Sequence, residues 1–156
     1  MILFALENLR SVHNVGSIFR CADGFGIDKL LLIGTTPTPF DRFGNKRSDF
    51  AKVSLGAEDS VEWEYFPDTS AVLKTYADIT KYALELTDTA KLLSEIQECV
   101  QAQDSYIIFV GAEVDGVSTQ VLSVSKEVFS IPMCGLKESL NVSIAAALCM
   151  YELTRK

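Results

Sequence analysis

Apolar residues fall along this chain in short blocks, some continuous and some spaced by three or four. Ile2-Leu3-Phe4-Ala5-Leu6 is continuous and predicts a strand buried on both faces. Asn14 can cap a helix, and Ile18, Phe19, Ala22 and Phe25 carry it to about Phe25, where Gly24 and Gly26 stop it. Lys29–Ile33 reads as a second buried strand. Thr35–Asp49, rich in Pro, Gly and charge, is a long loop of the kind that often carries function. Val61–Phe66 predicts a short edge strand, Ser70–Tyr76 a short helix, and Tyr82–Leu86 a strand. Ala90–Val100 predicts a helix with Leu92, Leu93 and Ile96 on one side. Tyr106–Val110 is the clearest buried strand, followed by a short helix over Thr119–Val124 and a strand over Val128–Ile131 that Pro132 ends. Ser139 can cap a last, amphipathic helix to Leu153, with Leu140, Ile144, Leu148 and Tyr151 in register.

Strands alternating with helices predict an α/β fold with a mostly parallel sheet. The 156 residues, 48% of them hydrophobic, fit a single domain over 1–156 with a real core and exclude disorder. No apolar run approaches the roughly 18 residues of a membrane span, and the apolar start has no basic leader before Glu7. The expectation is a cytoplasmic protein without a membrane partner. In parallel sheets ligands bind beyond the carboxyl ends of the strands, so the segments after each strand hold the candidate chemistry.

The net charge of −7 argues against a generic phosphate-coating surface. One local basic cluster exists, Arg42, Lys46, Arg47 and Lys52, opposed by Asp41 and Asp49; on charge alone it reads as a solvated loop. Cys21, Cys99, Cys134 and Cys149 form no C-x-x-C pair and read as buried reduced thiols. With His13 the only histidine, no metal site is expected. No G-x-S-x-G elbow or P-loop is present, and Gly24-Phe25-Gly26 ends a helix where a dinucleotide fingerprint would open one.

Three segments remain. After the first strand, residues 7–20 place Asn8, Arg10, Asn14 and Arg20 around a helix N-terminus, a ready anion site. Spacing alone favours the plainer assignment of a capping Asn14 and a surface Arg20. After Val110, Gly111 and Gly116 bracket Glu113, which fits either close backbone approach to a ligand or a tight turn. After Ile131, residues 132–145 put Asn141 and Ser143 in an apolar stretch where buried polar groups need partners.

Taken in order, these segments resemble the SpoU/TrmH family of the SPOUT superfamily, the knotted RNA ribose methyltransferases. Asn8, Asn14, Gly16 and Arg20 resemble its first motif. Gly111, Glu113 and Gly116 resemble G-x-E-x-x-G. Ile131-Pro132-Met133 with Ser139-Leu140-Asn141-Val142-Ser143 resembles the third, and Ser54-Leu55-Gly56-Ala57-Glu58 is familiar from small members. The likeness spans residues 2–155. It implies a deep C-terminal trefoil knot, which topology rules alone would not predict, and a homodimer that buries apolar surface of the first and last helices. It implies S-adenosyl-L-methionine as methyl donor, with S-adenosylhomocysteine as product, contacted by Leu86, Gly111, Ile131, Met133 and Leu140 and needing no metal.

The implied reaction is methylation of a ribose 2′-hydroxyl, on tRNA by analogy with small members, with rRNA the other substrate. The resemblance gives Arg20 the role of base; a charged Arg20 clamping phosphate and alkoxide is the other role its chemistry allows. Asn14 and Glu113 would orient Arg20 and substrate, and Ser139 and Asn141 would shape the pocket. RNA docking falls to Arg42, Lys46 and Arg47, with Arg10 alongside. Three other readings compete: a non-catalytic knotted RNA-binding scaffold, methylation of a base nitrogen, and an enzyme for a small phosphorylated metabolite bound at the Asn14 helix end.

Overall fold

Alternate side chains of β1 (Ile2–Glu7) leave the sheet on opposite faces: Phe4 and Leu6 on one, Leu3 and Ala5 on the other, all sealed from solvent. A strand apolar on both faces requires cover on both. The computed structural model describes residues 1–100 and 104–155 and supplies it. β2 (Lys29–Ile33) and β6 (Tyr106–Val110) flank β1 and repeat its two-sided burial. β3 (Glu62–Phe66), β4 (Thr80–Leu84), β5 (Lys91–Leu92) and β7 (Glu127–Ser130) extend the sheet to the order β3-β2-β1-β6-β4-β7-β5. Every strand pairing within this sheet is parallel.

The Phe4 face is covered by α1 (Val12–Phe25), α2 (Ser48–Ser54), α3 (Ala57–Ser60), α5 (Ile96–Cys99) and α7 (Val142–Thr154); Phe19 and Phe50 meet edge to face at its centre. The Leu3 face is covered by α4 (Thr69–Thr75) and α6 (Thr119–Val124) through Val72 and Val121. Because the strands run parallel, the segments leaving β1, β2, β4, β6 and β7 all emerge at one end of the sheet.

Several elements differ from expectation for local reasons. The N-cap of α1 is Ser11, whose hydroxyl accepts from the Asn14 amide at 3.2 Å, so the Asn14 side chain is released from capping. In the same way Asn141 caps α7, accepting from the Ser143 amide at 2.9 Å, and Ser139 stays in the preceding loop. β4 ends at Leu84, so Glu85 and Leu86 are already beyond the strand. Residues 90–100 are not one helix: Lys91 and Leu92 pair with β7, Lys91 Nζ meets Glu127 at 2.7 Å, and a 3₁₀ turn (Leu93–Glu95) separates them from α5. Of the cysteines, Cys149 is buried but Cys134 is exposed.

The largest reversal concerns α7. It turns Ser143, Ala146, Cys149 and Met150 inward, where small residues let it lie close to α1. The apolar register of Leu140, Ile144, Leu148 and Tyr151 faces outward.

The basic stretch 42–52 is likewise more than a loop, since it enters α2 at Ser48. Lys46 Nζ sits 2.8 Å from the buried Glu58 carboxylate and 2.6 Å from Asp59, and Arg47 pairs with Asp49 at 2.8 Å. Burial pushes the Glu58 carboxyl up. The Lys46 ammonium, the Ser54 hydroxyl and backbone N–H groups outweigh burial and bring it down from 4.5 to about 2. A carboxyl depressed on folding contributes stability above its unfolded value of 4.5 and loses it as pH falls from there toward about 2. Glu58→Gln should therefore cost about 2 kcal/mol at neutral pH in denaturant melts. The gap between variant and parent should close below pH 4.5; a gap independent of pH would refute the ion pair.

Candidate active site

β1 ends in a sharp turn in which Asn8 takes the left-handed conformation (φ 56°), tolerated by an Asn whose side chain accepts from the Thr35 amide at 3.3 Å. The chain then enters α1 with Asn14 buried and turned toward the loops that follow β6 and β7. Asn14 Nδ2 donates to Glu113 Oε1 at 2.8 Å, and Asn14 Oδ1 accepts from Asn141 Nδ2 at 3.2 Å. Asn141 Oδ1 in turn accepts from the amide and, at 2.7 Å, from the hydroxyl of Ser143. One side chain from each of the three motif segments is thus joined in a single line of hydrogen bonds.

Beside this line opens a cavity of about 580 Å³, lined by residues 84–86 after β4, 110–114 and Gly116 after β6, and Ser130, Ile131, Met133 and 138–142 around the loop after β7. Gly111, Ile131, Met133, Leu140 and Leu86, expected at a cofactor, all line it, as do Glu113, Ser139 and Asn141. Gly111 is required by packing: a Cβ there would lie 2.0 Å from the backbone carbon of Gly116. Among the described residues, 132–140 make no backbone hydrogen bond to the rest of the chain, so their amides and carbonyls are open to a ligand.

Two carboxylates that the sequence reading did not single out hold the Gly111–Ser118 loop. Glu85 accepts from the Val117 amide at 2.7 Å and the Leu86 amide at 2.8 Å; the buried Glu7 accepts from the Ser118 amide at 2.9 Å and from the Thr69 hydroxyl. Placing the end of β4 at Leu86 hid Glu85. Glu7, the last residue of an otherwise apolar strand, carried a usable signal: a carboxylate there needs donors nearby.

Not every expected residue gathers at the cavity. Arg20 is exposed, does not line the cavity and has no ion-pair partner among the described residues. It lies six residues beyond Asn14 in the same helix, roughly 240° around the axis. Arg10 is exposed and reaches Asp115 at 3.9 Å. Arg42, Lys46 and Arg47 lie after β2, two of the three already paired with carboxylates.

The pocket thus offers apolar walls, open backbone groups and carboxylates at the carboxyl end of a parallel sheet. The family model described as SpoU rRNA Methylase family matches residues 1–151. The chain is 30% identical over 155 residues to the 23S rRNA (guanosine-2'-O-)-methyltransferase RlmB of Bordetella pertussis, 99% of this chain and 60% of that protein. It is also 30% identical to the tRNA (guanosine(18)-2'-O)-methyltransferase of Thermus thermophilus, with 97% and 73% covered. The solved AdoMet-bound rRNA methyltransferase from Sinorhizobium meliloti shares the fold, with a TM-score of 0.85 at 21% identity over 99% of this chain and 56% of that one. The chain therefore spans less than two thirds of the Bordetella relative, and within that span it belongs to the SpoU rRNA methylase family.

Proposed function

We propose that residues 1–156 form one S-adenosylmethionine-dependent RNA methyltransferase domain that methylates a ribose 2′-hydroxyl. The observation that carries this reading is the line Glu113–Asn14–Asn141, which unites the three motif segments beside the cavity. The relatives' names support the reaction. For the substrate we favour tRNA, with rRNA the other class named among the relatives.

The cavity fits the cofactor. Its volume, about 580 Å³, lies within the usual range for small-ligand sites. Leu86, Ile131, Met133 and Leu140 give apolar surface to a purine, Gly111 and the open backbone of 132–140 give hydrogen bonds, and Glu85, Glu113 and Glu138 suit a cationic ligand. When bound, S-adenosylmethionine supplies an electrophilic methyl group on a sulfonium. Asn14 and Asn141 hold Glu113 at the pocket wall, and Ser139 borders the space for the ribose.

Arg20 does not reach its own pocket, so we assign it to the pocket of a second copy. The outward stripe of Leu140, Ile144, Leu148 and Tyr151 supports a homodimer across α7 and the neighbouring α1. There a charged Arg20 binds an RNA phosphate and stabilises the alkoxide as the hydroxyl proton leaves to solvent. The knotted path of the C-terminal segment belongs to the same reading, in which Ser130, Ile131, Met133 and residues 138–142 share one cavity with 84–86 and 110–114.

Arg20→Ala should lower kcat for methyl transfer to bulk tRNA, followed by nucleoside mass spectrometry, by about 100- to 1000-fold. S-adenosylhomocysteine should still raise its melting temperature as in the parent. Near-normal turnover would remove Arg20 from the reaction. Ile144→Asp with Leu148→Asp should yield monomers by light scattering and abolish transfer; an active monomer would contradict the shared site.

A further inference from the structure

Residues 40–46 form a closed turn that holds one aromatic ring in solvent. Phe40 and Lys46 make an antiparallel bridge. Within it the Asp41 carboxylate accepts from the amides of Phe43 at 2.8 Å and Asn45 at 2.9 Å, and the Asp41 amide donates to the Asn45 carbonyl at 2.9 Å. Lys46 is anchored to Glu58 and Asp59, and the Phe40 ring stacks on Trp63 with centroids 6.1 Å apart. At the tip Phe43 is 74% exposed, with the Arg42 guanidinium 4.7 Å from its ring centroid. Among the described residues Arg42 has no carboxylate partner, in contrast to Lys46 and Arg47. The base of the loop is fastened to the first motif segment, since the Thr36 hydroxyl donates to the Leu6 carbonyl at 2.8 Å and accepts from the Leu9 amide at 3.0 Å. The turn itself, through Lys46 and Phe40, is fastened to Asp59 and Trp63 beside the entry to the edge strand β3, so the tip stands at that edge of the sheet.

A single exposed Phe needs no explanation, but a rigid turn presenting a Phe beside an unpaired Arg matches what single-stranded RNA requires. Unstacked bases lie on aromatic faces, and a guanidinium meets the adjoining phosphate. We propose that the Arg42–Phe43 tip is a stacking platform for an unpaired nucleobase of the RNA substrate, with Lys46 and Arg47 serving to hold the turn. This rests on the RNA methyltransferase reading given above.

The test uses the full chain, a short unstructured oligoribonucleotide of mixed sequence, and the same strand annealed to its complement. Phe43→Ala should keep the parent's melting temperature and its stabilisation by S-adenosylhomocysteine, yet bind the single strand about tenfold more weakly. In a Trp63→Phe background, Phe43→Trp should be quenched by the single strand and little by the duplex. Parent protein that binds the cofactor product but neither RNA overturns the RNA reading and the platform together. Parent binding that Phe43→Ala leaves unchanged, or an unquenched Trp at 43, overturns the platform alone. A change from dimer to monomer in Phe43→Ala also overturns it, by assigning the ring to a subunit contact.

Discussion

Asn14 is a buried amide whose two polar ends both need partners, and that need ties the first motif segment to two loops 99 and 127 residues further along the chain. Its Nδ2 takes Glu113 and its Oδ1 takes Asn141. Ser11 makes this possible by capping α1 and releasing the Asn14 side chain from local work. Removing Glu113 or Asn141, both themselves exposed, would leave one end of the buried Asn14 amide without its partner, a loss larger than the net worth of the bond itself.

The cavity depends on this line and on two further carboxylates. Glu7 and Glu85 grip consecutive amides of the Gly111–Ser118 loop from opposite sides, and Gly111 lets the loop fold back on Gly116. By contrast, among the described residues the 132–140 segment makes no backbone hydrogen bond to the rest of the chain, which leaves its backbone free for a ligand.

The sheet was legible because its strands are apolar on both faces: Ile2–Leu6, Lys29–Ile33 and Tyr106–Val110 stand within a residue of where their composition puts them. The family motifs after them identified the pocket lining, including Gly111, Ile131, Met133 and Leu140. What failed was decided by contacts distant in sequence. The 90–100 stretch has helical spacing, but pairing with β7 turns Lys91 and Leu92 into a strand. The direction of α7 could not be read, because it is apolar nearly all round and its inward face is set by the small residues that fit against α1. Likewise the positive stretch 42–52 looked like one patch; two of its cations answer carboxylates of α2 and α3.

The most direct measurement of the central claim is a double-mutant cycle on Asn14→Ala and Glu113→Ala, read as S-adenosylhomocysteine affinity by calorimetry. If the hydrogen-bonded line organises the pocket as one unit, each single change weakens binding and the double change adds little more, with a coupling of about 0.5–3 kcal/mol. Strictly additive losses would mean that the loops shape the cavity independently and would contradict this account.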